Sequence, residues 1–123
     1  MMFFKKKVYY AHSKLIYNTA REKEELRFIK TEFNVVNPNT DMGELGSITP
    51  YLKKIDTCYG VVFSYINGFV GKGVYEEVKH SIEVNKPTFL LDKKDFIPIK
   101  SIPQIFDSMD WSYRYAKIEK EIL

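Results

Sequence analysis

Apolar residues along this chain follow two periods. Val8-Tyr9-Tyr10, Val61-Val62-Phe63 and Phe89-Leu90-Leu91 are compact β-branched or aromatic runs of the length of buried strands. Between them lie segments whose apolar residues recur every three or four positions, the period of a helix packed on a sheet. The first strand is predicted over Lys7–Ala11, with Val8 and Tyr10 on one face and Lys7 and Tyr9 on the other. His12 to Tyr17 reads as the loop after it. Thr19 with Glu22 three residues later matches a capping box, and the helix it opens should run to about Lys30. Leu26, Phe28 and Ile29 supply its apolar side. Its polar side, Arg21 to Glu25, reads as a solvated charge face.

A second strand is predicted over Phe33–Val36. Asn37 to Asp41, with Pro38 inside it, reads as a loop, and Met42 to Gly46 as irregular chain. Thr49 as cap and Pro50 at the first helical position open a helix to Asp56. Then comes the stretch around which the chain is organised. Tyr59–Ile66 reads as a strand, Asn67 to Gly73 as a glycine-bearing loop, Val74–Asn85 as a helix, and Thr88–Leu91 as another strand. Two such strands joined by a helix form a right-handed crossover and run parallel. Phe96–Ile99 is a last strand, which Pro98 confines to an edge. Pro103–Phe106 reads as a short helical turn and Asp110–Leu123 as an aromatic-rich helix, whose Trp111, Tyr113 and Tyr115 suit a core or a subunit interface better than a site. The alternation predicts an α/β fold: a flavodoxin-like or Rossmann-like three-layer sandwich with a mostly parallel sheet and helices on both faces.

The helical wheel singles out one carboxylate. Over Val74–Asn85, Glu77 shares a face with Val74, Val78, Ser81 and Val84, and that face should lie on the sheet. Glu76 shares the opposite face with Lys79, His80 and Glu83, where it is an ordinary solvated acid and His80 is solvated too. Glu77 thus points inward in the first helical turn, at the C-terminal edge of a parallel sheet, where open α/β sheets bind ligands. A carboxylate buried there needs a raised pKa or a polar partner. The competing reading is a first-turn Glu that complements the helix dipole. The loops that meet at this edge also bring His12, Ser13, Asn37, Asn39, Asp41, Asn67 and Lys72.

Composition narrows the class. At 123 residues, with 28% charged and 15% aromatic residues, the chain fits a single globular domain over 1–123. The net charge of +3 is dispersed apart from Lys5-Lys6-Lys7, so no nucleic-acid partner is expected. The lone cysteine, Cys58, has no intrachain disulfide partner and no metal-ligand spacing around it, and reads as a core residue at a strand entrance. No stretch has signal-peptide character or the length to span a bilayer, so no membrane partner is expected and the expected location is cytoplasmic.

Three segments resemble the nucleoside 2-deoxyribosyltransferase superfamily, including its nucleotide N-hydrolase relatives. They are Val8-Tyr9-Tyr10-Ala11-His12-Ser13, the run from Lys53 to Val62, and the run from Gly73 to Pro87. The family places its nucleophilic Glu four residues after a glycine and nine before a Lys-Pro that starts the next strand; Gly73, Glu77 and Lys86-Pro87 match both spacings. The resemblance covers most of residues 7–92 and makes Glu77 the nucleophile that attacks the anomeric carbon of a nucleoside or nucleoside monophosphate. A carboxylate suits this because the transition state is oxocarbenium-like and positively charged. The glycosyl ester is then passed to another base or to water.

The same resemblance implies substrate contacts from Tyr10, His12 and Ser13. His12 is either the acid for the leaving base or a loop residue bonded to backbone. The Gly71-Lys72-Gly73 backbone either holds an anionic group or simply starts the helix. The chain departs from the family at two acid positions, which Tyr59 and Gly71 occupy, so Asp41 or Asp56 would have to compensate; if neither does, a non-catalytic nucleotide-binding module of the same fold results. The resemblance also implies a homodimer or higher homo-oligomer. The chemistry requires no metal and no cofactor.

Overall fold

The computed structural model describes residues 4–66 and 70–101; the expected elements at Pro103–Phe106 and Asp110–Leu123 lie outside the described residues. In chain order the elements are β1 (Lys7–Ala11), α1 (Ala20–Ile29), β2 (Asn34–Val36), α2 (Pro38–Asp41), α3 (Thr49–Asp56), β3 (Gly60–Phe63), α4 (Lys72–Glu83), β4 (Thr88–Asp92) and β5 (Asp95–Pro98). A 3₁₀ turn, Lys14–Ile16, follows β1. The strands form one five-stranded sheet in the order β2-β1-β3-β4-β5. Pairings among the first four are parallel, and β5 returns antiparallel to β4 at the edge, where Pro98 is tolerated. This is an α/β fold of flavodoxin-like or Rossmann-like type.

Alternation along the strands builds a core on each side of the sheet. Tyr9, Ala11, Val61 and Phe63 face Ile55 of α3 and Val74 and Val78 of α4. Val8, Tyr10, Val62 and Leu91 face Ile29 and Leu26 of α1. The second core is extended by aromatic rings, with Phe28 stacked on Phe96 at 5.0 Å between centroids and Phe33 edge-on to Phe96 at 5.4 Å. β1 and β3 are therefore covered on both faces, which is why they read as unbroken apolar runs rather than as alternating strands. No helix among the described residues is long and apolar enough to cross a membrane.

Several local readings are corrected. Pro38–Asp41 is a short helix rather than a loop: the Asn37 side chain accepts from the Asn39 N–H at 3.0 Å, and the Asp41 carboxylate accepts from the Asn37 N–H at 2.8 Å. Two short polar side chains thus cap one helical turn from both ends of the segment. Thr49 lies inside α3, whose N-cap is Ile48 and carries no side-chain cap. α4 starts at Lys72, so Glu77 sits in the second turn and not the first. The same helix ends before Val84, which is 42% exposed and not on the buried face. Its ending is specific: Asn85 adopts φ 60°, its N–H bonds the Ile82 carbonyl at 3.1 Å, and the Lys86 N–H bonds the Ser81 carbonyl at 2.9 Å. That is a Schellman ending with Asn in the left-handed position.

Gly60 fixes how closely β3 can approach the turn before β4. A methyl group on its Cα would lie 2.1 Å from the Pro87 carbonyl oxygen. The contact is backbone, so nothing nearby can rotate away. Gly60→Ala is expected to cost about 2–3 kcal/mol, seen as a lower urea midpoint at unchanged slope; an unaltered midpoint would show that the strand spacing relaxes freely.

Candidate functional site

In this strand order the chain leaves β1 on one side toward β2 and crosses back past β1 to β3. The C-terminal ends of β1 and β3 are thus the point where the winding reverses, and a crevice opens there. A cavity of about 400 Å³ occupies it, within the roughly 300–1,000 Å³ common for small-molecule sites. Its walls come from β1 and the loop after it, from the loop before α3, and from the first turns of α4. Leu45, Ile48 and Val74 make the wall apolar, while Tyr9, Tyr17 and Glu77 bring polar groups into it.

Glu77 lines this cavity and is only 7% exposed. The Tyr9 hydroxyl donates to its Oε2. The pairing follows from strand alternation: Tyr9 is on the sheet face that α4 covers, and Glu77 is on the helix face turned to the sheet. Burial pushes the Glu77 carboxyl up to about 8, and the Tyr9 hydrogen bond pulls the other way by favouring the anion. Burial and the facing carboxylate also raise the Tyr9 phenol far above its usual range, so it remains a donor at any ordinary pH.

His12 lines the same cavity but has no free nitrogen. Nδ1–H donates to the Tyr10 carbonyl at 2.9 Å, and Nε2 lies 2.7 Å from Oε2 of Glu22. With Nδ1 committed as a donor, Nε2 and the carboxylate can meet at that distance only with a proton between them, so the pair shares one. Burial outweighs the two acceptors and holds the His12 imidazole below its ordinary value, so the charged ring is disfavoured. Burial also works against the Glu22 anion, but bonds from His12, the Asn18 N–H and the Asn39 amide hold Glu22 below its ordinary value. Tyr10 stacks on the His12 ring at 3.6 Å between centroids. The acid role for His12 is therefore not available in this arrangement.

The expectation of a solvated polar face on α1 is corrected by the same contacts. Glu22 is buried, and Glu25 accepts from the Tyr10 hydroxyl and from Ser64 Oγ at 2.8 Å. Arg21 bonds Glu25 through Nε at 3.1 Å and donates from Nη2 to the Tyr65 carbonyl. The N-terminal half of α1 lies against the C-terminal ends of β1 and β3, whose hydroxyls and carbonyls need partners that an apolar face would not supply. His80, expected to be solvated, bonds Asp56 of α3 at 2.7 Å.

Of the residues singled out from sequence, Glu77, His12, Ser13, Gly71 and Gly73 line the cavity. Tyr10 points to the opposite sheet face, Asn37 and Asp41 are spent on capping α2, and Lys72 is exposed outside the lining. Tyr59 precedes β3 at the other end of the sheet, where its N–H bonds the Lys7 carbonyl at 2.7 Å. The structure adds Tyr9, Tyr17 and the segment Glu44–Ile48. Tyr51 holds that segment, accepting from the Leu45 N–H at 3.2 Å and donating to the Gly43 carbonyl at 2.6 Å. Tyr9 was legible as the inward residue opposite Tyr10; the segment 44–48 carries no periodic signal. Among the described residues no group of His, Cys, Asp and Glu is arranged to hold a metal ion.

In comparisons with protein families, curated proteins and solved structures, no family model matches the chain and no curated protein or solved structure matches it.

The raised Glu77 value makes a signed prediction about stability. Between about 4.5 and about 8 the folded chain holds a proton that the unfolded chain has released. Its contribution is therefore full below about 4.5 and is lost as pH rises through about 8. Wild-type unfolding free energy should fall across this window relative to Glu77→Gln. Parallel curves for the two proteins would mean that Glu77 is not held protonated. Tyr9→Phe removes the bond that favours the anion, so it should move the Glu77 titration higher still, as read by carboxyl carbon NMR.

Proposed function

We propose that the chain cleaves the N-glycosidic bond of a nucleoside or nucleoside monophosphate, with Glu77 as nucleophile. The observation that carries this is a single carboxylate buried at the switch-point cavity, hydrogen-bonded by Tyr9 and placed at the spacing from Gly73 and Lys86-Pro87 that the resemblance requires. A Glu77 oxygen attacks the anomeric carbon while the bond to the base nitrogen breaks. The electron pair leaves with the base, which takes its proton from water at the open cavity mouth. Water then hydrolyses the glycosyl ester, or a second base accepts the sugar.

The attacking species is the ionised carboxylate. Desolvation makes it scarce at neutral pH, and for the same reason reactive toward a developing cation. Tyr9 holds one oxygen in place and supports the anion as it forms. Transfer to a second base and assembly into a homodimer or higher oligomer belong to the same reading.

One observation favours a second reading, a nucleotide-binding module without chemistry. Among the described residues the other carboxylate lining the cavity, Glu44, is exposed and pairs with Lys14 at 3.4 Å, so none of them sets a second buried acid in the lining with Glu77.

A mixed panel of nucleosides and nucleoside monophosphates, followed by mass spectrometry for free base, separates the two. Wild type is expected to release base, and Glu77→Ala to lose ~10³-fold or more of that rate. The kcat/KM of wild type should rise with pH through about 8 as Glu77 ionises. Ligand retention without base release assigns the binding module instead.

A further inference from the structure

At the end of the sheet opposite the cavity the fold gathers lysines that the sequence keeps apart. Lys5, Lys6 and Lys7 enter β1 there, Lys54 closes the last turn of α3, and Lys86 precedes β4. Lys86 Nζ donates to the Cys58 carbonyl at 2.7 Å, and Lys7, Lys54 and Lys86 all lie close enough to act electrostatically on the Cys58 thiol. The Lys6 ammonium sits over the Tyr59 ring at 4.1 Å.

Among the described residues none of these five lysines takes part in an ion pair. Of the carboxylates of this end, Asp56 bonds His80 and Glu83 pairs with Lys79, while Glu32 is exposed and makes no ion pair with these lysines among the described residues. Tyr59, which carries the Lys6 ammonium, is 38% exposed, and Phe4, next to Lys5 in the chain, is 84% exposed.

The dispersed charge along the sequence predicts no nucleic-acid partner, but the fold brings these lysines together, and we propose that this lysine end of the sheet, with Phe4 and Tyr59, is a binding surface for single-stranded nucleic acid. Lys5 and Lys86 each give one N–H to a backbone carbonyl, that of Lys30 at 2.7 Å and that of Cys58, and keep further donors. Clustered ammonium groups outside ion pairs track a phosphate backbone, and an exposed ring gives a base a face to stack on without reading its identity. An anionic bilayer fits less well, because one phenyl group beside lysines is a single weak anchor. The surface is separate from the cavity and does not depend on the reaction assigned to Glu77.

The test uses fluorescence anisotropy with a labelled short oligothymidylate. If about four phosphates are neutralised, log affinity should fall against log salt with a slope of about −3, a loss of about 50-fold between 50 and 200 mM. Replacing Lys6, Lys7 and Lys54 together by Ala should flatten the slope to about −1. Phe4→Ala should weaken binding roughly 10-fold at unchanged slope.

Circular dichroism confirms that the variants fold. No binding, or binding that ignores salt or the lysine changes, overturns the proposal. So does retention on phosphatidylserine-containing vesicles but not on the oligonucleotide, which would make the surface a lipid contact.

Discussion

A carboxyl group beneath the C-terminal edge of a covered parallel sheet has almost no water to solvate it, so its partner must come from the sheet itself. Tyr9 is that partner for Glu77. The contact requires β1 to present Tyr9, not Tyr10, to the face under α4, and it requires α4 to be turned with Val74, Val78 and Ser81 against the sheet. A one-residue slip of β1 would put Tyr10 in that place and expose the wrong side chain to each core. Strand register and helix orientation thus converge on one hydrogen bond. Burial and that bond oppose each other, leaving the acid poised near neutrality rather than fixed in either state.

Around this pair the polar groups are arranged in tiers. The His12–Glu22 pair, with the Asn18 N–H and the Asn39 amide, ties the loop after β1 to the start of α1 and to α2. Glu25, Tyr10, Ser64 and Arg21 do the same for the end of β3. Among the described residues no buried side-chain nitrogen or oxygen is left without a partner. These bonds rigidify the crevice walls from behind, and they explain why His12 faces the cavity without a nitrogen free for chemistry. At the opposite end of the strands lies the lysine cluster, so the two chemically distinctive surfaces are separated by the length of the sheet.

Much of this was readable in advance. β1 matches its predicted span, Lys7–Ala11, and the inward aim of Glu77 follows from the period of its helix. Thr19 caps α1 as its pattern predicts, accepting from the Glu22 N–H at 3.2 Å, though Glu22 reaches back to Asn18 rather than Thr19. What local pattern misses is set by tertiary context. The polar face of α1 looks solvated in isolation and is partly buried because strand ends need hydrogen-bond partners. Tyr59 and Tyr10 border the right strands but lie at the wrong end or on the wrong face. Asn37 and Asp41 belong to a capping arrangement that a Pro-Asn stretch does not announce. The cavity segment 44–48 is irregular chain held by Tyr51, and nothing in residue spacing marks it.

The central claim is that Glu77 forms a bond to the sugar, and trapping that bond tests it most directly. A nucleoside carrying fluorine at the 2-position of the sugar slows departure of the glycosyl group, because fluorine destabilises the oxocarbenium-like transition state. Incubation with such a compound, followed by intact-mass and peptide mapping, should find one sugar per chain on the peptide containing Glu77, and none on Glu77→Gln. A sugar on any other residue, or a protein that binds the compound but remains unmodified, would contradict the account.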